Sequence, residues 1–157
     1  METTRRDLVV GLLALASALQ LEAAGEDKEK ILGPTVFHWD QMQPHKTATG
    51  EVRSLYNGPT ATVNQLEMHV STLNPGLASH PPHRHVNEEL IILREGECET
   101  LSSGAWIKVE PGTVVFNASN SLHGFRNVGT VPAVYHVINW SPNNGAGSQR
   151  PTPLVPS

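Results

Sequence analysis

The stretch of sequence that decides the fold lies near the middle of the chain, where residues 76–96 read GLASHPPHRHVNEELIILREG. It ends in an apolar run with the character of a buried strand. Successive side chains of a strand point to opposite faces, so His83, His85 and Glu89 are expected on one face and Glu88 on the other. Imidazole and carboxylate groups that share a face are ligands of divalent metal ions. The stretch therefore predicts a metal site built on a strand.

Turn signals such as Asn57-Gly58-Pro59, Asn74-Pro75-Gly76 and Pro111-Gly112 divide the rest of the chain into short segments. Between the turns lie runs rich in Val, Ile, Thr and aromatic residues, which favour strands. The predicted strands cover residues 35–39, 52–56, 62–73, 89–95, 106–109, 113–116, 124–127 and 133–140. Because no apolar period of about 3.6 residues persists in this region, little helix is expected. Evenly spaced short strands indicate an all-β sandwich or barrel.

Two stretches carry a resemblance to a known family. Residues 76–96 resemble the first motif of the cupin superfamily: a glycine, a spacer, His-x-His, a glutamate and a closing glycine. The spacer has six residues here where the family usually has five. A second stretch, residues 112–127, resembles the second cupin motif and places His123 and Asn127 at its histidine and asparagine positions. Ala118 and Asn120 replace the usual proline and glycine of its turn, and asparagine tolerates the left-handed conformation that such a turn requires.

The resemblance implies a single jelly-roll cupin barrel, a double-stranded β-helix with little helix. It implies that His83, His85, Glu89 and His123 hold one divalent transition metal ion, with one or two positions left to water or substrate. Such nitrogen and oxygen ligands suit Mn, Fe(II), Co, Ni, Cu or Zn.

The remaining histidines are His38, His45, His69, His80 and His136. A lone histidine on or beside a strand is most often a hydrogen-bonded structural residue. His80 shares a loop with His83 and is a candidate for the mouth of the site. His69 and His136 lie in predicted strands and are candidates for second-shell donors or a general base, with Tyr135 and Arg84 as further acid–base candidates. Four aromatic residues are assigned to the core or pocket wall: Trp106, Phe116, Phe125 and Trp140. Asn127 is expected to close a turn.

The composition of the chain excludes some classes of binding partner and metal site. The formal net charge is -4, and the Lys and Arg residues are scattered, so no basic stripe is available for nucleic acid. Cys98 is the single cysteine, which excludes an intramolecular disulfide and a multi-thiolate metal site. A small-molecule ligand and a homodimer are the expected partners, since sheet edges in such proteins are commonly covered by a second subunit.

The first residues have the pattern of an export signal. Arg5 and Arg6 precede an uncharged apolar run, residues 8–19, which small residues follow. The run is shorter than the ~20 residues of a membrane span, and the arginine pair resembles a twin-arginine signal. The predicted organisation is a signal peptide at 1–25, a linker at 26–34, the barrel at 35–140 and a loose tail at 141–157. An amphipathic N-terminal helix and a retained membrane anchor are the alternatives. The mature protein is expected in the periplasm or outside the cell, without a membrane span.

Three functions remain open from the sequence. The first is a metal-dependent enzyme of the dioxygenase, isomerase or lyase type acting on a small molecule. The second is a non-catalytic periplasmic module that binds a small molecule or sugar. The third is a structural barrel with a vestigial site. The fold itself decides little between them, because this family hosts many chemistries.

Overall fold

The computed structural model describes residues 31–142, and almost all of the regular structure is β-strand. The strands are β1 (Pro44–Lys46), β2 (Gly50–Gly58), β3 (Val63–Leu73), β4 (Glu88–Glu95), β5 (Cys98–Ser102), β6 (Ala105–Val109), β7 (Val114–Asn117), β8 (Gly124–Asn127) and β9 (Ala133–Pro142). Within residues 31–142 the one helical element is a 3₁₀ turn at Trp39–Gln41. The prediction of an all-β domain with little helix is confirmed.

The strands form two antiparallel sheets. One sheet has six strands in the order β1-β2-β3-β9-β4-β7, and the other has three in the order β6-β5-β8. Strand β9 lies between β3 and β4 near the centre of the larger sheet. The last described strand is therefore paired with two strands from earlier in the sequence. Residues on β4 and β9 alternate between buried and half-buried, which gives the larger sheet an inner and an outer face.

The core lies between the inner faces of the two sheets. It contains Leu73, Ile91, Leu93, Cys98, Val109, Val115, Phe125, Ala133, Tyr135 and Val137. Phe125 comes from the smaller sheet and packs its ring 4.7 Å from that of Tyr135 on β9. The Cys98 thiol is fully buried, and burial raises its pKa to about 12, so it serves as a packing residue.

The strand predicted at 35–39 is wrong, and two short strands, β1 and β5, were not predicted. The segment that was predicted as this strand is held in place by side-chain contacts and does not pair with another strand. The Trp39 ring lies 4.6 Å from the Arg53 guanidinium and 5.8 Å from that of Arg94, and the Arg53 side chain donates a hydrogen bond to the Met42 carbonyl. These contacts place the segment across the larger sheet, where its backbone joins no ladder. At the other end of the domain β9 continues to Pro142, two residues beyond the predicted limit at 140.

Aromatic residues divide between core and surface. Phe125 is buried as predicted, but Trp106 and Phe116 are 36% and 53% exposed, so their assignment to the interior is wrong. Trp106 lies under the Arg126 guanidinium at 4.1 Å, and Phe116 stacks on the half-buried Trp140 on the outer face. A ring that stacks on a neighbouring side chain can remain at the surface without a place in the core.

Two turn predictions are confirmed. Asn127 is buried, its amide donates to the carbonyls of Leu73 and Val131, and its side-chain oxygen accepts from the Gly129 backbone. Asn120 has a φ of 59°, the left-handed conformation expected at that position.

Residues 31–142 contain no helix long and apolar enough to cross a membrane. The predicted signal peptide, at 1–25, lies outside the described residues.

Candidate metal centre

A backbone bridge joins the two motifs. The His83 N–H donates to the His123 carbonyl at 3.0 Å, and the His123 N–H donates to the His83 carbonyl at 3.1 Å. Strand β4 begins only at Glu88, so His83 and His85 do not lie on the strand that carries Glu89, and the expectation of one continuous strand is wrong. Pro81 and Pro82 lack N–H donors, so neither residue can donate a ladder hydrogen bond just before His83. The loop nevertheless brings His83 and His85 to His123.

The three histidines form a cluster whose potential ligand atoms all lie within 4.8 Å of one another. Glu89 borders this cluster: its Oε2 is 3.8 Å from Nε2 of His85, and its Oε1 is 3.8 Å from Nε2 of His123. Glu89 is buried on the inner face of β4, whereas Glu88 points to the outer face and pairs with Trp140. The four residues predicted as ligands are therefore together in space, and Glu88 is apart from them.

Hydrogen bonds fix the orientation of two imidazoles. The Nδ1–H of His85 donates to the Asn87 carbonyl and that of His123 to the Ser121 carbonyl, each at 2.9 Å. A carbonyl only accepts, so both neutral rings carry their proton on Nδ1 and an unprotonated lone pair on Nε2. This is the arrangement that metal-binding histidines usually have.

Two buried ring nitrogens in the cluster have no hydrogen-bond partner, Nε2 of His123 and Nδ1 of His83. A buried polar atom without a partner is costly, and a divalent ion would provide one. Burial lowers the pKa of His83, and the neighbouring His80, His123 and His85 lower it further. A lowered pKa favours the neutral ring, which is the form that binds a metal. The donors present thus fit a divalent ion.

Asn117 on β7 is a part of the site that the sequence analysis did not identify. Its side-chain amide donates to Oε1 of Glu89 at 2.8 Å and so orients the carboxylate. Asn117 lies opposite Glu89 in the sheet, and Asn139 lies opposite Glu89 on the other side. The amide of Asn87 donates to the Asn139 side chain at 2.7 Å. The position of Asn117 depends on strand register, for which the sequence carries no direct signal.

A cavity of about 230 Å³ adjoins the cluster, and Glu89 and His123 form part of its wall. The buried Tyr135 also lines it and hydrogen-bonds the side chains of Ser71 and Ser79, while burial raises the pKa of the tyrosine. We call this space the central cavity. A small molecule inside it could reach two of the four candidate ligands, Glu89 and His123.

The remaining acid–base candidates from the sequence analysis differ in whether they line the central cavity. His69 and His80 line the central cavity. His136 lies on the outer face of β9, where burial and then Arg94 lower its pKa. Arg84 is exposed, and its guanidinium donates to the Asn120 carbonyl. His136 and Arg84 are therefore removed from the set of acid–base candidates for this cavity.

Comparison with known proteins is consistent with this architecture. Residues 69–139 match the sequence model of the family described as Cupin_2, cupin domain. No curated protein matches the chain. Among solved structures, the Cupin_2 domain of an XRE family transcriptional regulator from Enterobacter cloacae is 25% identical, covering 59% of this chain and 96% of that one, with a TM-score of 0.51.

Two further structures share the fold at lower identity. A predicted oxalate decarboxylase from Thermotoga maritima is 18% identical, with 68% of this chain and 99% of that one covered and a TM-score of 0.54. The polyketide cyclase RemF from Streptomyces resistomycificus is 19% identical, with 69% of this chain and 80% of that one covered and a TM-score of 0.57. Such neighbours include both enzymes and regulators. Residues 69–139 thus match the cupin domain model, and the two sheets that contain them share the fold of these cupin structures.

Proposed function

We propose that the protein is a metal-dependent enzyme that acts on a small molecule at a site formed by His83, His85, Glu89 and His123. The observation that carries the proposal is the unpartnered, buried Nε2 of His123, which lies beside Glu89 and the other two imidazoles. A cluster of polar side chains beside a cavity is typical of a small-molecule binding site and is not needed to pack the core.

The residues of the chain have separate roles in this proposal. The carbonyls of Asn87 and Ser121 hold two imidazoles in the tautomer that leaves Nε2 free, and Asn117 orients the Glu89 carboxylate. A divalent transition metal bound there supplies a Lewis acid, or a binding place for oxygen, through its open positions. The central cavity places the substrate against Glu89 and His123 and excludes bulk water from one side.

The second candidate function is a binding module that holds a small molecule without turnover. It is favoured by the likeness to the cupin domain of a transcriptional regulator. The two functions differ in what the ion does. An enzyme needs the ion for turnover, whereas a binding module needs only that the ligand is retained.

The test is metal analysis of protein purified from its native host, followed by a substrate panel with and without the ion. Metal-dependent turnover of any compound supports the enzyme. Saturable binding without turnover supports the module. Protein that carries no transition metal, and gains no stability or binding when Mn, Fe(II), Co, Ni, Cu or Zn is added, contradicts the metal-dependent enzyme and any module that holds its ligand through the ion.

We also propose that the protein is a homodimer joined through the outer face of β9, β4 and β7. Strand register places six apolar side chains side by side on this face: Leu90, Ile92, Val114, Phe116, Ile138 and Trp140. Val114 and Phe116 are more than half exposed, although the outer face of such a sheet is usually polar. A second copy related by a two-fold axis would pack this apolar face against the same face of its partner. Glu88 is the one carboxylate in the rows that contain the six apolar side chains.

The export of the protein remains a proposal from the sequence. The arginine pair at Arg5 and Arg6, the apolar run after it and the small residues that follow support delivery to the periplasm or beyond through the twin-arginine route. Such a route would suit a protein that folds and takes up metal before it is exported.

A further inference from the structure

A pair of titratable side chains lies on β3, away from the four candidate ligands. The Nδ1–H of His69 donates to Oε1 of Glu67 at 2.7 Å. Because a carboxylate oxygen accepts this bond, the neutral ring carries its proton on Nδ1 and has an unprotonated lone pair on Nε2. His69 is also part of the wall of the central cavity.

Strand register places this pair on the same wall as the candidate metal centre. His69 lies opposite Val137 on β9, and Val137 lies opposite Ile91 on β4; all three residues line the central cavity. One row further, Glu67 lies opposite Asn139, which lies opposite Glu89. A small molecule that reaches Glu89 and His123 through this cavity therefore rests against the wall that contains His69.

The charge of the cavity wall limits the ligand. No Lys or Arg is found among the described residues that line it, whereas Glu51 and Glu89 contribute carboxylates. Apart from an ion held by Glu89 and His123, a ligand carboxylate or phosphate inside the cavity would have no lysine or arginine side chain to bind. Hydroxyl groups are supplied by Thr47, Thr49, Ser71, Thr72, Ser79 and Tyr135. This wall suits an uncharged molecule that gives and accepts hydrogen bonds.

We propose that His69 exchanges a proton with an uncharged, hydroxyl-bearing small molecule in the central cavity, and that Glu67 is its positioning residue. The ligand O–H bond breaks, an Nε2–H bond forms on His69, and the electron pair stays on the ligand oxygen. The Glu67 carboxylate stabilises the imidazolium that results. The inference rests on the proposed function only in taking the central cavity as the place of the substrate.

A chromogenic phenol, 4-nitrophenol, tests the proposal because its absorbance distinguishes phenol from phenolate. The probe is titrated into the full chain at a pH where free probe is mostly protonated. The other titratable groups on the cavity wall are Glu51, His80, Glu89, His123 and Tyr135. The comparison therefore uses His69→Asn, with His136→Asn as the matched control, since His136 lies on the outer face of a neighbouring strand.

The parent and the control are expected to convert bound probe to phenolate, and His69→Asn is expected to bind the probe as phenol. Glu67→Gln retains an oxygen that accepts from Nδ1 but loses the charge, so the phenolate-to-phenol ratio of the bound probe should fall at least about tenfold. Near-ultraviolet circular dichroism verifies that each variant is folded.

The titration is run on zinc-loaded and on chelator-treated protein, so that the role of His69 is separated from that of the metal. A phenolate signal of equal size in His69→Asn would overturn the proposal, and so would the absence of saturable probe binding to the parent. A signal that needs zinc and survives His69→Asn would assign the proton loss to the metal site. Failure of the chain to bind zinc would contradict the proposed function and leave the His69 comparison in chelated protein valid.

Discussion

Glu89→Gln and Glu88→Gln form the most direct test of the metal site. Each removes one carboxylate, and the two residues are neighbours on β4. Only Glu89 faces the histidine cluster, at 3.8 Å from Nε2 of His85 and of His123. Glutamine keeps the size of the side chain, and its amide oxygen can still accept the 2.8 Å hydrogen bond from Asn117. The substitution therefore changes the charge and donor quality of the site more than its packing.

The expected effect follows from the position of Glu89. Removal of a group that only orients metal ligands lowers affinity by about 10–100-fold. Glu89 would itself be a ligand, so Glu89→Gln should lower zinc affinity at least about 100-fold, which is about 2.7 kcal/mol. Glu88 lies on the outer face, so its carboxylate points away from the histidine cluster. Glu88→Gln should change zinc affinity by no more than about twofold.

The measurement is a competition titration of zinc against a chromogenic chelator, with metal content of the purified variants as a second readout. Melting temperatures in excess chelator should be similar for both variants and the parent, because neither substitution removes a core contact. Equal zinc affinities for Glu88→Gln and Glu89→Gln would refute the assignment of Glu89 to the site, as would an affinity loss confined to Glu88→Gln.

Four further perturbations address the rest of the structure. Asn117→Ala removes the donor that orients Glu89 and should lower zinc affinity about 10–100-fold; the parent's affinity in this variant would show that the contact is not needed. Phe116→Glu puts a charge on the apolar outer face and should give a monomer by light scattering at micromolar concentration, where the parent is expected as a dimer. A persistent Phe116→Glu dimer, or a monomeric parent, would exclude this interface. The folded-state pKa of His136 lies below its unfolded value of 6.5, so the unfolded chain binds more protons and stability falls as pH drops from above 6.5 through the folded pKa. His136→Asn should flatten the decline in melting temperature between about pH 7.5 and about pH 5, and an unchanged slope would assign the decline to other groups. Replacement of Arg5 and Arg6 by Lys should leave the folded domain intact and hold it in the cytoplasm, because lysine lacks the forked donors of arginine; export and cleavage at the parental rate would contradict the twin-arginine assignment.

Local patterns predicted the parts of the fold that depend on neighbouring residues. Alternation along β4 correctly separated Glu89, on the inner face, from Glu88, on the outer face. The turn that Asn127 closes and the left-handed Asn120 were also predicted, since both depend on side-chain chemistry within a few residues. Such features need no knowledge of distant partners.

Features that depend on distant partners were missed. The segment that includes Trp39 has strand-like composition, but stacking on Arg53 and Arg94 holds it across the sheet. Asn117 meets Glu89 because β7 pairs with β4 in one particular register, and a shift by one residue would have turned it away. His83 and His85 reached the predicted cluster through a loop and a bridge to His123, and not through the strand on which the prediction was based.

The reciprocal backbone hydrogen bonds between His83 and His123 have a consequence for metal selection. They tie together, through main-chain atoms, two candidate ligands that are 40 positions apart in the chain. The spacing of the imidazoles is therefore set by the protein's own folding, before any ion arrives. An ion must adapt to that spacing, since the frame resists contraction or expansion around it. Preference among metals should then reflect ionic radius and coordination geometry more than intrinsic affinity for nitrogen. Loss of the ion should leave the chain folded, unlike small domains in which metal binding supplies the folding energy.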